Sequence, residues 1–218
     1  WRVRTQVAGA LSAPHPRSPV NARLLALLPA AIAINLVIGG LVNALGLPLY
    51  LDSIGTILAT VLAGPAVGAL AGAIGQLLFG LINGYQWIPF GLIQVVIAIL
   101  AGLAASRAGF RGTGRSVAWG LLTGLVAGAL SSVISYVLFK GVTATGTTAV
   151  VTILRQLGWS LPVAVTASSL ALDLVDKAAA FAVVGALVRT LPNRMVGRFL
   201  RAARAVGLHL APEGTWAG

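Results

Sequence analysis

The chain has 218 residues, of which 58% are hydrophobic and only 9% are charged. A water-soluble domain of this length needs a far more polar surface, so the composition excludes a soluble globular protein. Inside a bilayer, backbone N–H and C=O groups find no water, so membrane-spanning segments are helices or closed barrels. The apolar runs are long and lack the alternation of barrel strands, which predicts an all-α, polytopic membrane protein.

The formal net charge of +11 also raises the question of a nucleic-acid partner. Twelve of the 15 basic residues lie in three clusters: Arg2, Arg4, Arg17 and Arg23; Arg107, Arg111 and Arg115; Arg189, Arg194, Arg198, Arg201 and Arg204. Each cluster flanks an apolar run, which is typical of the cytoplasmic loops of membrane proteins. We therefore expect the lipid bilayer, and no nucleic acid, as the partner of these charges.

Several kinds of site are excluded or disfavoured by missing residue types. The sequence has no cysteine, which excludes disulfides and thiolate chemistry, and its two histidines lie in the polar tails. We expect no metal site, no cofactor and no histidine-based catalytic centre in the membrane. The basic N-terminal stretch has no uninterrupted apolar core and does not resemble a signal peptide.

Six membrane spans are predicted in chain order. They cover about 23–45, 53–63, 66–82, 88–106 and 116–139, and a last run that ends near Pro192. The second and third runs are separated by Gly64 and Pro65 and are short for a bilayer, so we expect tilt or partial burial. The connector 140–161 carries a short apolar piece, which is either a surface helix or a re-entrant loop.

Six spans place both termini on one side, and the basic clusters assign that side to the cytoplasm. We predict a cytoplasmic N-terminal segment (1–22), a six-helix membrane domain for substrate binding (23–192) and a basic cytoplasmic tail (193–218). The segments 46–53, 83–87 and 140–161 then lie at the outer face.

Small residues recur at four-residue spacing in three of the spans. The rows are Ala22, Ala26 and Ala30; Gly64, Gly68 and Gly72, continued by Gln76 and Gly80; and Gly120, Gly124 and Gly128, continued by Ser132, Tyr136 and Lys140. Such rows allow close approach of helices in lipid, most often within the protein itself. The alanine row leads to no polar group, which favours the docking of a partner helix instead.

Polar and aromatic side chains gather toward the predicted outer face. We interpret them as a small-molecule site with aromatic walls and a few convergent polar groups. Its candidate residues are Tyr50, Asp52, Gln76, Asn83, Tyr85, Trp87, Gln94, Tyr136, Lys140, Asp173 and Lys177. Structural roles remain open for some of them. Asp52 or Ser53 suits a helix cap, Tyr85 and Trp87 suit interface anchors, and Lys140 suits an anchor that reaches the interface.

The last span carries Asp173, Asp176 and Lys177 within an otherwise apolar run. The spacing pairs Asp173 with Lys177 on one helix face and directs Asp176 toward a neighbouring one. One interpretation is an internal salt bridge that fixes the span to its neighbours. The other is that Asp173 faces the ligand while Lys177 moderates its charge, since ionisable residues inside a membrane are usually functional. A proton relay has weaker support, because the other spans have no carboxylate.

Two stretches carry a family resemblance: LPLYLDSIGTILATVLAGPAVGALAGAIGQLLFG (47–80) and LDLVDKAAAFAVVGALVRTLP (172–192). They resemble the S components of energy-coupling factor (ECF) transporters, over about 24–192. The resemblance implies a vitamin-sized pocket near the outer face, gated by the first outer loop (about 45–53). It also implies a transmembrane coupling protein that docks on Ala22, Ala26 and Ala30, two cytoplasmic ATPases, and substrate release by toppling in the membrane.

The function expected from the sequence is therefore that of a non-catalytic substrate-binding subunit in a bacterial plasma membrane. The residues suit an aromatic heterocycle, such as a pyrimidine, a pyridoxine-like compound or a thiamin-related compound. An alternative is a stand-alone secondary transporter or facilitator that couples to protons through Asp173 and Asp176. A third, weaker interpretation is an intramembrane enzyme or sensor that uses the same two carboxylates as an acid/base pair.

Overall fold

Seven α-helices form the described part of the chain, which in this computed structural model comprises residues 22–142, 146–191 and 204–207. The helices are α1 (Ala22–Ala44), α2 (Ile54–Ala63), α3 (Pro65–Asn83), α4 (Gly91–Ser106), α5 (Thr113–Phe139), α6 (Gly146–Gln156) and α7 (Leu161–Thr190). A 3₁₀ helix, Tyr85–Phe90, precedes α4. These ranges contain no strand, so the all-α prediction is confirmed.

Four stretches are long and apolar enough to cross a membrane: Ala26–Ala44, Pro65–Asn83, Tyr85–Ser106 and Thr113–Phe139. They agree with a polytopic membrane protein. Helix α2 has 10 residues and is therefore about 15 Å long, half the thickness of the hydrocarbon layer. Helix α7 has 30 residues but carries the charged trio. The count of six spans and the side on which the termini lie stay predictions.

Helix α2 is short and lies inside the helix bundle. Seven of its ten residues are buried, and it packs against α1, α3, α4 and α7. Gly64 (φ 109°) ends α2, and Pro65 starts α3 at a position where a missing N–H costs nothing. Because protein surrounds α2, its polar backbone ends need not meet lipid.

Helices α5 and α7 form the most extensive pair, and the glycine row of α5 explains why they approach so closely. A Cβ atom added at Gly120 would lie 2.6 Å from the carbonyl oxygen of Lys177, and one at Gly124 would lie 2.5 Å from that of Asp173. The row therefore serves packing within the protein and fixes the turn of α7 that carries the charges. Gly72 and Gly80 of α3 are likewise in close contact with Gln94 and Ile88.

The segment 204–207 contacts the connection between α4 and α5. The backbone N–H of Phe110 donates to the carbonyl of Ala205 at 3.1 Å, and Ala205 is buried. Phe110 also stacks on Phe181 of α7, with ring centroids 5.5 Å apart. This end of the helix bundle is closed by apolar packing, and the polar cavity lies at the other end.

Candidate functional site

A cavity opens at the end of the bundle that the charge distribution predicts to be extracytoplasmic. It is lined by Tyr50, Asp52, Gln76, Gln86, Trp87, Phe90, Ile93, Gln94, Ile97, Ser131, Ser135, Asp173 and Lys177. The space between these side chains totals about 500 Å³ including the part open to solvent, but the centre of a water molecule can reach only about 30 Å³ of it. Side chains of the lining must therefore move aside to admit a molecule larger than a few waters.

Seven of the eleven candidate residues from the sequence line this cavity: Tyr50, Asp52, Gln76, Trp87, Gln94, Asp173 and Lys177. The other four lie elsewhere. Asn83 is exposed and its amide donates to the carbonyl of Phe79 in its own helix, and Tyr85 is 75% exposed. Tyr136 and Lys140 contact each other at the end of α5, where the ammonium lies 5.8 Å from the ring centroid. The structure therefore does not place these four in the cavity wall.

The aromatic part of the cavity is built around Trp87 in the 3₁₀ helix. Trp87 meets Phe79 edge-on at 5.0 Å and Tyr50 edge-on at 6.4 Å. The side-chain amide of Gln76 donates to the Trp87 carbonyl at 3.1 Å, which anchors the 3₁₀ turn to α3. The site thus has a rigid aromatic wall, since edge-on pairs fix ring orientation.

The charged part is built around Lys177, which is buried. Three of the four acidic residues in the sequence surround it. Its Nζ hydrogen-bonds to the Asp176 carboxylate and lies 3.8 Å from Asp173 and 3.9 Å from Asp52. The predicted pairing of Asp173 with Lys177 is present, and Asp176 faces a neighbouring direction as predicted, toward the backbone of Tyr50 and Leu51. The flexible lysine reaches back along the helix to its sequence neighbour.

Asp176 also fixes the first outer loop. Its Oδ1 accepts the backbone N–H groups of Tyr50 at 2.9 Å and Leu51 at 2.7 Å. Leu51 has φ of +47°, a left-handed conformation that a leucine adopts only when its surroundings impose it. The Tyr50 hydroxyl pairs with Thr147 Oγ1 of α6 at 2.7 Å. The loop is therefore attached at one point to α7 and at another to α6.

Asp173 lines the cavity. The carboxylate is buried, and its Oδ2 has no hydrogen-bond partner within the described part of the chain. A buried acceptor without a partner is costly, which makes Asp173 a candidate contact for a ligand. In the adjoining loop, burial raises the pKa of the Asp52 carboxyl above its usual range, and the nearby Lys177 ammonium opposes that rise.

Sequence reasoning missed the apolar lining residues Phe90, Ile93 and Ile97 and four polar residues in or behind the cavity wall. Gln86, Ser131 and Ser135 line the cavity directly. Asn35 of α1 is buried behind it and hydrogen-bonds to Thr56 of α2, which contacts Gln94. Asn35 was detectable, because an amide in the middle of an apolar helix is costly unless it has a partner.

No metal centre is indicated: among the described residues, no group of three or more His, Cys, Asp or Glu side chains is arranged to hold an ion. The outward side of α1 carries Ala26 and Ala30, both exposed. The side chain of Ala22 lies outside the described part. The predicted alanine face is therefore exposed at its two later positions.

Comparison with known proteins assigns the family. The sequence model of the family described as ECF-type riboflavin transporter, S component, matches residues 21–190, which are 170 of the 218 residues. The chain belongs to this family, and the resemblance of its two stretches to ECF S components is confirmed. It is a membrane substrate-binding subunit of a transporter and not an enzyme. No curated protein and no solved structure matches the chain.

Proposed function

We propose that this S component binds riboflavin in the cavity around Lys177 and Trp87. Delivery across a bacterial plasma membrane would then require a coupling protein and two ATPases, with the subunit toppling in the membrane. The ligand is suggested by the description of the matching family. It takes the place of the smaller heterocycles that the sequence suggested, and it keeps their aromatic character.

The chemistry of the lining suits this ligand. An isoalloxazine ring offers a flat aromatic face to Trp87 and Phe90, and its polar edge suits side-chain amides such as that of Gln76. The ribityl chain carries hydroxyl donors, which suit the carboxylates of Asp52 and Asp173. The observation that carries the proposal is the buried Asp173 carboxylate, which belongs to the cavity lining and whose Oδ2 has no hydrogen-bond partner in the described chain.

We propose the first outer loop, 45–53, as the gate. Tyr50 and Asp52 belong to this loop and also line the cavity, so a movement of the loop changes the size of the site. The narrowness of the cavity supports such a movement, because a vitamin does not fit among these side chains as they stand. The contacts of the loop with Asp176 and Thr147 would hold it in its closed position.

The topology that we propose has six spans, formed by α1 to α5 and α7, with 1–22 and 193–218 in the cytoplasm. Helix α6 then lies at the outer face beside the start of α7, where Val151 packs on Val165. The short α2 would rely on its four neighbouring helices for shielding from lipid. The exposed face of α1 around Ala26 and Ala30 would receive the coupling protein, together with Ala22.

Binding to the purified protein tests the ligand. We expect riboflavin to bind at one site per chain, and mass spectrometry of small molecules that copurify with the protein to detect a flavin. Absence of both would refute riboflavin as the ligand. Uptake into liposomes then tests the partners: we expect accumulation only when the coupling protein and ATPases are present, whereas uptake by the chain alone would support a stand-alone transporter.

A further inference from the structure

A chain of hydrogen bonds crosses the wall of the cavity from α1 to the first outer loop. Asn35 Oδ1 accepts the backbone N–H of Gly55 at 2.7 Å, and Asn35 Nδ2 donates to Thr56 Oγ1 at 2.9 Å. Thr56 Oγ1 donates to Gln94 Oε1 at 2.9 Å, and Gln94 Nε2 donates to the Asp52 carbonyl at 3.2 Å. The side chains of Asn35, Thr56 and Gln94 are all at most 3% exposed.

The two ends of this chain fix its direction. The N–H of Gly55 can only donate, so the atom of Asn35 that faces it must be the oxygen, which leaves its NH₂ group toward Thr56. The Thr56 hydroxyl accepts that bond and has one hydrogen of its own, which goes to Gln94. The Asp52 carbonyl can only accept, so the NH₂ group of Gln94 must face it. Both amide orientations therefore follow from chemistry and not from an arbitrary choice between oxygen and nitrogen.

Gln94 consequently directs its NH₂ group toward the loop that lines the cavity. Its Oε1 bonds to Thr56 and lies beside Gly72 of α3, where an added Cβ atom would be 3.2 Å away. The oxygen is thus enclosed between α2 and α3. Its Nε2 lies toward Asp52 of the loop that lines the cavity, donates to the carbonyl of that residue and also interacts with its side-chain carboxylate.

We propose that Asn35 is a positioning residue that acts through Thr56 to make Gln94 present its NH₂ group to Asp52 and to the ligand site that both residues line. A ligand that contacts Gln94 must then do so with an acceptor, such as a ring carbonyl or ring nitrogen, that replaces the Asp52 carboxylate at the NH₂ group. Asn35 itself is not among the residues that line the cavity. The identity of the cavity as the ligand site rests on the proposed function, whereas the direction of the hydrogen bonds does not.

Four substitutions separate this role from simple packing. Thr56→Val removes the hydroxyl at nearly constant volume, and Thr56→Ser restores it. In Asn35→Asp, the carboxylate accepts hydrogen bonds from both the Gly55 N–H and the Thr56 hydroxyl. The Thr56 hydroxyl then no longer donates its hydrogen to Gln94 Oε1. Thr60→Val is the matched control, because the Thr60 hydroxyl is equally buried in the same helix but donates to the Thr56 carbonyl at 2.8 Å, outside the chain of bonds.

The first measurement needs no ligand. The side-chain amide resonance of Gln94 is recorded by ¹⁵N–¹H NMR on the full chain in detergent and assigned by its loss in Gln94→Leu. We expect it to shift in Thr56→Val and Asn35→Asp and to stay in place in Thr56→Ser and Thr60→Val. An unchanged resonance in the first two variants would overturn the proposed direction of the chain.

The second measurement is the Kd for riboflavin in the same proteins. We expect Thr56→Val and Asn35→Asp to bind about fivefold more weakly or worse, as the loss of one oriented hydrogen bond predicts, with Thr56→Ser and Thr60→Val within about twofold of the parent. If Thr56→Val and Thr60→Val weakened riboflavin binding equally, the loss of affinity would come from altered packing. That result would overturn the positioning role. If the parent protein binds no riboflavin, the proposed function fails, and the NMR result still decides whether Asn35 orients Gln94.

Discussion

The Asp176 carboxylate on α7 accepts the backbone N–H of Leu51 at 2.7 Å, across 125 residues of sequence. The same oxygen accepts the N–H of Tyr50, and the other oxygen binds Lys177. One buried carboxylate therefore joins the charged cluster to the loop that we propose as the gate.

Removal of this carboxylate should destabilise the protein. Asp176→Ala leaves two backbone N–H groups and the Lys177 ammonium without their nearest acceptor, so we expect a loss of about 3 kcal/mol and a Tm lower by at least about 5 °C. Asp176→Asn keeps one acceptor oxygen and should lose less. Thermal unfolding in detergent measures both, with the exposed Arg155→Ala as control. An Asp176→Ala protein as stable as this control would contradict the assignment.

Trp87 should report ligand binding. It lines the cavity, whereas Trp119 packs on Arg107 and Trp159 is 43% exposed. We expect Trp87→Phe to abolish most of the quenching of tryptophan fluorescence by riboflavin, and Trp159→Phe to preserve it. The emission of the flavin itself measures binding independently in each variant. Full quenching in a Trp87→Phe protein that still binds would place the ligand elsewhere.

The close approach of α5 to α7 should be needed for both stability and binding. Gly124→Ala sets a methyl group against the Asp173 carbonyl, so we expect a loss of about 1–3 kcal/mol together with weaker riboflavin binding. Gly114→Ala lies on the same helix with no atom within 4 Å of the added carbon and should be neutral or slightly stabilising. Similar melting curves for the two variants would show that α7 tolerates displacement.

The face of α1 should matter for transport and not for binding. Ala30→Trp fills the exposed side of α1, so we expect riboflavin binding in detergent to stay within about twofold and ATP-dependent uptake in proteoliposomes to fall about tenfold, because small residues there allow a partner helix to approach. Val133→Trp, at a 58% exposed position of α5, is the control. Equal uptake by both variants would argue against docking at α1.

The sequence predicted five of the helices nearly to their bounds, because long apolar runs interrupted by glycine, proline and charge leave few alternatives in a membrane. The start of α4 was less predictable. The stretch 85–90 is apolar like a span, but Pro89 lacks an N–H, and the chain forms a 3₁₀ turn before the α-helix begins at Gly91. That turn buries Trp87 and exposes Tyr85, two residues before it. Composition does not show which of the two aromatic side chains is buried.

The sequence predicted Tyr136 and Lys140 as the cavity residues at the end of α5, whereas Ser131 and Ser135 line the cavity. The reason is geometric. Residues four apart drift by about 40° around a helix with 3.6 residues per turn, so the row that begins at Gly120 has turned well away by Tyr136. Ser131 and Ser135 lie 7 and 11 residues after Gly124 and so share its face. The hydrogen-bond partners of Asp176 could not be predicted from the sequence. They are the backbone N–H groups of Tyr50 and Leu51, and nothing in residues 173–177 indicates a loop so distant in the chain.

The charged trio also bears on how this protein is made. A segment with two carboxylates and an ammonium partitions poorly into lipid by itself. When α7 leaves the ribosome, however, the glycines of α5 and the backbone groups of Tyr50 and Leu51 have already been synthesised. In the six-span topology that we propose, the last long helix then enters the bilayer beside groups that can pair with its charges, so damage to the early loop should appear as failed membrane insertion of a segment more than a hundred residues later.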